Sequence, residues 1–222
     1  MERNVNLDEI TDGKKYKLND MVKADCGNCE GCSACCKGMG NSIVLDPYDV
    51  YRLTTGLNVK FEELLVDKLD LNVVEGIILP NLKMNGRGNS CRFLDDNGRC
   101  SIHSLRPGIC RIFPLGRLYE NDSFDYILQV HECKKTNRSK IKVKKWIDTE
   151  DIEKNQQFIT RWHYFLKNVT EKLQGFSEEK IKEVDMLILN VFFVTLYEGN
   201  RDFYRQFEER MQSVTGILLK IG

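Results

Sequence analysis

The sequence lacks a surplus of either charge. Lys plus Arg and Asp plus Glu both total 33 among 222 residues, so no global field draws the chain onto nucleic acid or an anionic membrane. It also lacks a long apolar run. The longest, residues 186–197, is shorter than the about 20 residues a bilayer requires and is interrupted by Asn190, so it predicts a buried helix. No apolar stretch stands in the first ten residues, and no secretory leader is read there. Internal repeats, low-complexity tracts, a glycine-rich phosphate loop after a strand, a Ser-His-Asp set and a paired-carboxylate motif are all missing, so no reaction can be named. Cysteine is absent from Trp146 onward.

All nine cysteines lie between Cys26 and Cys133. Without a leader, such a set belongs in a reducing compartment, and the expected location is cytoplasmic, where clustered thiols serve metals or redox chemistry more often than disulfides. An odd count also excludes complete pairing. The contrast between the two parts of the chain predicts a cysteine-cluster metal-binding domain over 1–145 and a helical C-terminal region, 146–222, packed on it. A basic connector, 134–145, carries seven positive charges and no acid, and predicts an edge strand where Lys and aliphatic residues alternate from Lys140 to Lys144. A solvated segment explains it better than phosphate contact, so nucleic acid is not an expected partner.

Hydrophobic content of 41% suffices for a core, and its spacing predicts an α+β fold, mainly α. Ile159, Trp162, Phe165, Leu166 and Val169 recur at helical spacing. Ser177 caps a second helix with Glu178 and Glu179 in its first turn, and Phe203, Phe207, Met211, Val214 and Leu218 stripe a third. In the first part, Asp46-Pro47-Tyr48-Asp49 starts a helix that stops near Gly56, and 61–69 gives another. Short strands are expected at Ile43-Val44-Leu45 and Ile77-Ile78-Leu79. Asp95-Asp96-Asn97-Gly98 predicts a hairpin that brings Cys91 and Cys100 together, 106–113 a short helical segment stopped at Pro114, and 118–128 a second hairpin about Asn121-Asp122-Ser123.

Five cysteines fall within eleven residues as Cys26-x2-Cys29-x2-Cys32-x2-Cys35-Cys36. Two thiolates two residues apart can share one metal because a tight turn presents both sulfurs on one side, at about 2.3 Å from a zinc ion. The successive triplets also resemble the Cys-x2-Cys-x2-Cys run of bacterial ferredoxins, although the proline usual after the final cysteine is missing. Cys35 and Cys36 are adjacent, so their side chains are expected to diverge and serve different metals or different edges of a larger cluster. Cys91, Cys100, Cys110 and Cys133 supply remote ligands. Arg106 and Arg111 flank Cys110, where guanidinium groups can offset thiolate charge and donate to sulfur, or bond to loop carbonyls instead. His103 and His131 stand close to cysteines, but with thiolates in surplus they fit an outer hydrogen-bonding role or solvent exposure. His163 fits packing or surface.

The run Cys29-x-x-Cys32-x-x-Cys35-Cys36, then Cys91-Arg92-Phe93-Leu94, then Cys100-Ser101-Ile102-His103-x-x-Arg106-Pro107-x-x-Cys110-Arg111-x-Phe113-Pro114, then Cys133, resembles the YkgJ-type CxxCxxCC cysteine-cluster family of zinc- or iron-chelating proteins. The resemblance spans about Cys29 to Cys133; it leaves out Cys26 and the C-terminal helices. It implies metal bound by Cys29, Cys32, Cys35, Cys36, Cys91, Cys100, Cys110 and Cys133. A weaker resemblance, in the cysteine pattern alone, is to flagellin lysine N-methylases, which implies an iron–sulfur cluster and S-adenosylmethionine. The expected cofactor is an iron–sulfur cluster of the 4Fe-4S type, with Zn2+ as the alternative. The expected role is redox, electron transfer or cluster and metal handling. Two alternatives are a zinc-stapled scaffold offering its C-terminal helices to a protein partner, and a cluster-dependent oxidoreductase or methylase.

Overall fold

A computed structural model describes residues 6–27, 29, 32–85 and 88–221. The N-terminal segment read above thus lies partly outside the described residues. The fold is α+β and mainly α. A short helix, α1 (Leu7–Ile10), leads into β1 (Thr11–Tyr16) and β2 (Met21–Asp25). Neither strand is evident locally, since β1 is polar and β2 is short, with only Val22 and Ala24 buried; each pairs antiparallel with a strand more than a hundred residues away.

After the cysteine-rich loop, α2 (Pro47–Leu57) begins where the Asp46-Pro47 signal predicts. The Asp46 side chain accepts from Asp49 N, and the Asp49 carboxylate accepts from Asp46 N, a reciprocal box that satisfies two amides at the helix start. Asn58, in left-handed backbone, ends the helix. The second short helix, α3 (Phe61–Asp67), buries Phe61 and Leu64 and leads into the hairpin of β3 (Leu69–Val74) and β4 (Ile77–Leu82). Glu75 and Gly76 both have positive φ there, the backbone that a two-residue hairpin turn requires.

One expected strand and one expected hairpin are reduced to single bridges. Ile43-Val44-Leu45 makes one bridge, Val44 to Asn81, flanked by Leu45 N donating to Pro80 O (2.8 Å) and Leu82 N to Ile43 O (3.0 Å). Pro80 has no N–H to return, and the ladder stops. The segments around Asp95–Gly98 likewise meet at a single bridge, Leu94 to Cys100. The Asp95 carboxylate takes the amides of Asn97 (3.0 Å) and Arg99 (2.7 Å), which closes a side-chain-capped loop in place of a strand ladder.

Next come α4 (Gly108–Ile112), β5 (Leu115–Glu120) and β6 (Ser123–Gln129). Asn121 and Asp122 turn the β5–β6 hairpin with φ of 50° and 56°, and β1 adds on the far side to give the sheet order β1-β6-β5. The basic connector supplies β7 (Ser139–Lys142), paired with β2, and the one-turn α5 (Val143–Ile147), whose Val143 and Ile147 are buried.

Three longer helices complete the chain: α6 (Ile152–Leu173), α7 (Glu178–Leu189) and α8 (Phe203–Ile221). Ser177 caps α7 as expected, its side chain accepting from Lys180 N. The apolar run then widens into a π turn, Asn190–Val194, that buries Phe192 and Phe193. Each residue of the predicted α8 stripe, Phe203, Phe207, Met211, Val214 and Leu218, is buried. Phe207 sits edge-on to Phe158 (4.6 Å between ring centres) and meets Trp162 and Phe192. Tyr48 of α2 reaches Phe203 (5.0 Å) and Tyr204 (5.5 Å), so the apolar core runs without a break from the cysteine-bearing part into the helices. Among the described residues, no helix is long and apolar enough to cross a membrane.

Phe207→Ala removes the hub of this aromatic packing and is expected to cost about 3–5 kcal/mol, read from the guanidinium midpoint. A polar tie also crosses the fold: Gly108 N, opening α4, donates to Asp49 Oδ1 at 2.7 Å. Asp49→Ala strands that amide and the Asp46 amide and is expected to lower stability by about 1–3 kcal/mol in urea denaturation. Asp49→Asn keeps an acceptor and should lose less.

Candidate metal centre

Four stretches of chain deliver cysteines to one cavity of about 550 Å3. The cysteine-rich loop is fastened by its backbone: Cys91 N donates to Cys36 O (2.8 Å), Gly38 N donates to Asn89 O (2.9 Å), and Lys37 bridges Ser90. These bonds lay Cys35 and Cys36, on a one-turn 3-10 helix (Ala34–Cys36), against Cys91. Cys100 follows the Asp95-capped loop and accepts at its carbonyl from His103 N (3.2 Å). Cys110 rides on α4, which Asp49 holds at its first residue. Cys29, Cys32, Cys35, Cys36, Cys91, Cys100 and Cys110 all line the cavity. Of the eight expected ligands, Cys133 alone does not, and it stands instead within electrostatic reach of Cys26 and Cys32. All nine cysteines are free thiols, and Cys91 is only 6% exposed.

Burial sets the chemistry of these sulfurs. It pushes the thiols of Cys91, Cys100 and Cys110 up from their ordinary value, and neighbouring sulfurs push in the same direction. Burial, reinforced by Cys26, takes Cys29 up to about 12. Cys35 is the exception. A hydrogen bond from Cys36 draws Cys35 down to about 7, and the same bond drives Cys36 up. The adjacent pair, on its 3-10 turn, thus shifts in opposite directions. Cys36 in turn feels Cys100 and Cys110.

The flanking arginines do different work. Arg106 lines the cavity, bonds through Nε to His103 O (3.1 Å), and its charge favours the thiolate forms of Cys29, Cys35 and Cys100. Arg111 is buried and spends its guanidinium on the carbonyls of Asp148 (2.5 Å) and Ser104 (2.8 Å), tying α4 to the end of α5. His103 also lines the cavity; burial and the nearby arginines lower its pKa, which leaves the ring neutral near pH 7, and Nε2 is buried without a hydrogen-bond partner. His131 is exposed, whereas His163 is buried and stacked on Tyr119 at 3.6 Å.

Three residues of the site were given no place in it by the sequence. Arg117, in mid-strand on β5, puts its guanidinium into the cavity wall over Phe124 and beside Asp46 and Asp49, and its Nε is buried without a partner. Asp49, read as a helix-start acid, is also part of that wall; burial and the charge of Asp46 push its carboxyl up to about 8. Cys26 stands 3.6 Å, sulfur to sulfur, from Cys29. Its Cys-x2-Cys spacing was the available signal.

Among the described residues, no three His, Cys, Asp or Glu side chains are already close enough to hold an ion. The donor set nevertheless fits one: soft sulfur ligands from separate segments, facing one cavity, with the half-buried Arg106 and His103 beside them, are what zinc or iron–sulfur ligation requires. Metal bound there would replace thiol protons and link these segments through one centre.

No solved structure matches the chain. Residues 28–147, more than half of its length, match the family model CxxCxxCC, described as a "putative zinc- or iron-chelating domain", and the chain belongs to that family.

Proposed function

We propose that the chain holds an iron–sulfur cluster, of the 4Fe-4S type, and acts in redox, electron transfer or cluster and metal handling in the reducing cytoplasm. The observation that carries this reading is the cavity, with seven thiols around about 550 Å3. A mononuclear tetrahedral ion needs four sulfurs at about 2.3 Å, and both the sulfur count and the space exceed that need. Apolar walls from Leu45, Leu79, Leu82, Phe93 and Leu115 would keep water from a cluster and tune its potential, while Arg106 would offset thiolate charge. Arg111 contributes by fixing the backbone that aims Cys110.

Two further readings have specific support. A cluster-dependent enzyme is favoured by the reach of the cavity past the sulfurs to Arg117 and to Trp162 and Leu166 of α6, which leaves room for a small molecule. A zinc-stapled scaffold is favoured by Met186 on α7 and Ile217 and Leu219 on α8, apolar residues exposed where a protein partner would dock.

Anaerobic purification with visible spectroscopy and elemental analysis tests the choice of metal. A brown protein containing iron and acid-labile sulfide is expected; a colourless protein with stoichiometric zinc overturns the cluster reading. Cys110→Ser is expected to reduce bound metal and lower the melting temperature of the loaded protein, and unchanged values for both would remove Cys110 from the ligand set.

A further inference from the structure

The cavity does not end at the sulfurs. Helix α6 carries no cysteine, yet Ile159, Trp162, His163, Leu166 and Thr170 all line the space, recurring every three or four residues along one helix face. Opposite them, Leu115, Arg117 and Tyr119 line it from alternate positions of β5, which share one side of the sheet. Tyr119 meets α6 by stacking on His163 at 3.6 Å. Metal ligation does not account for this lobe, because a sulfur-bound ion needs only the end where the cysteines stand.

Groups of opposite charge meet in the lobe. Arg117 brings a guanidinium with five donors. Tyr119 and Tyr126 draw on it by hydrogen bond, Phe124 lies under it at 5.6 Å, and Nε is buried without a partner. Asp46 and Asp49 act on its charge, but among the described residues neither forms an ion pair with it. All three nevertheless converge: a Cβ placed on Gly108 would stand 3.6 Å from Arg117 Nη2, 3.6 Å from Asp49 Oδ1 and 3.9 Å from Asp46 Oδ2. Asp49 is buried and spends one oxygen on each of the Asp46 and Gly108 amides. Asp46 is half-buried and receives Asp49 N at Oδ1, which leaves Oδ2 the carboxylate oxygen best placed for a ligand.

An enclosed guanidinium with unspent donors is costly unless an acceptor faces it. A bare carboxylate entering the lobe would oppose Asp46 and Asp49, and a bare amine would oppose Arg117. A zwitterion opposes neither. We propose that this lobe binds an α-amino acid with an apolar side chain. Arg117 takes its carboxylate, Asp46 takes its ammonium group, and Leu115, Ile159, Trp162 and Leu166 cover the side chain. The inference rests on the reading of the cavity as roomy enough for a small molecule beside the sulfurs, and it assigns the class of that molecule.

Calorimetric titration of the full-length protein, purified anaerobically and assayed for metal on the same preparation, tests this with three matched probes. They are L-leucine, isocaproate, which lacks its amine, and isoamylamine, which lacks its carboxylate. L-leucine should bind saturably, and each truncated probe at least about tenfold more weakly. Arg117→Gln should weaken L-leucine binding by a similar factor with metal content unchanged. The comparison among probes needs no variant, so it decides even if Arg117→Gln fails to fold. Absence of saturable L-leucine binding to wild type at millimolar concentration overturns the proposal, as does equally tight binding of either truncated probe. Wild type that carries metal yet ignores L-leucine leaves the metal-binding reading standing, whereas wild type without metal removes that reading whatever L-leucine does.

Discussion

The hydrogen bond from Cys91 N to Cys36 O is the constraint on which the site depends, because it joins the cysteine-rich loop to the remote cysteines through backbone rather than sulfur. Its counterpart is the bond from Gly108 N to Asp49, which holds Cys110 against the start of α2. Both satisfy main-chain donors that would otherwise be stranded in the interior, so each stabilises the fold whatever the sulfurs are doing. Convergence of the thiols follows from these ties. Metal then has to draw together a set whose members already line one cavity.

That arrangement explains the division of labour along the chain. The cysteine-bearing part has short strands and small helices, with its backbone bonds concentrated where segments meet. The C-terminal part supplies mass: Phe158, Trp162, Phe192 and Phe207 interlock, and Tyr48 carries the same aromatic packing back onto α2. Since α2 also provides Asp49, the helices brace the cavity wall from behind. Such bracing matters for a thiol-rich site, in which every ionised sulfur repels the next until a cation intervenes.

Local chemistry made part of this legible in advance. The Asp46-Pro47 start of α2, the Ser177 cap of α7, the α8 stripe and the Asn121-Asp122 turn all act within a few residues, so spacing alone reveals them. The strands β1 and β2 were not legible, because Thr11–Tyr16 is polar, Met21–Asp25 offers only Val22 and Ala24 as alternating buried positions, and both become strands only against β6 and β7. Arg117 was invisible for a related reason: nothing near it in the chain distinguishes a guanidinium inside a cavity from one in solvent.

X-ray absorption at the edge of whichever metal co-purifies bears most directly on the claim that these sulfurs converge on metal. An inner shell made of sulfur alone, at about 2.3 Å for zinc and with a neighbouring iron as well for a cluster, is the result expected. A shell dominated by nitrogen or oxygen at about 2.0–2.2 Å would contradict it.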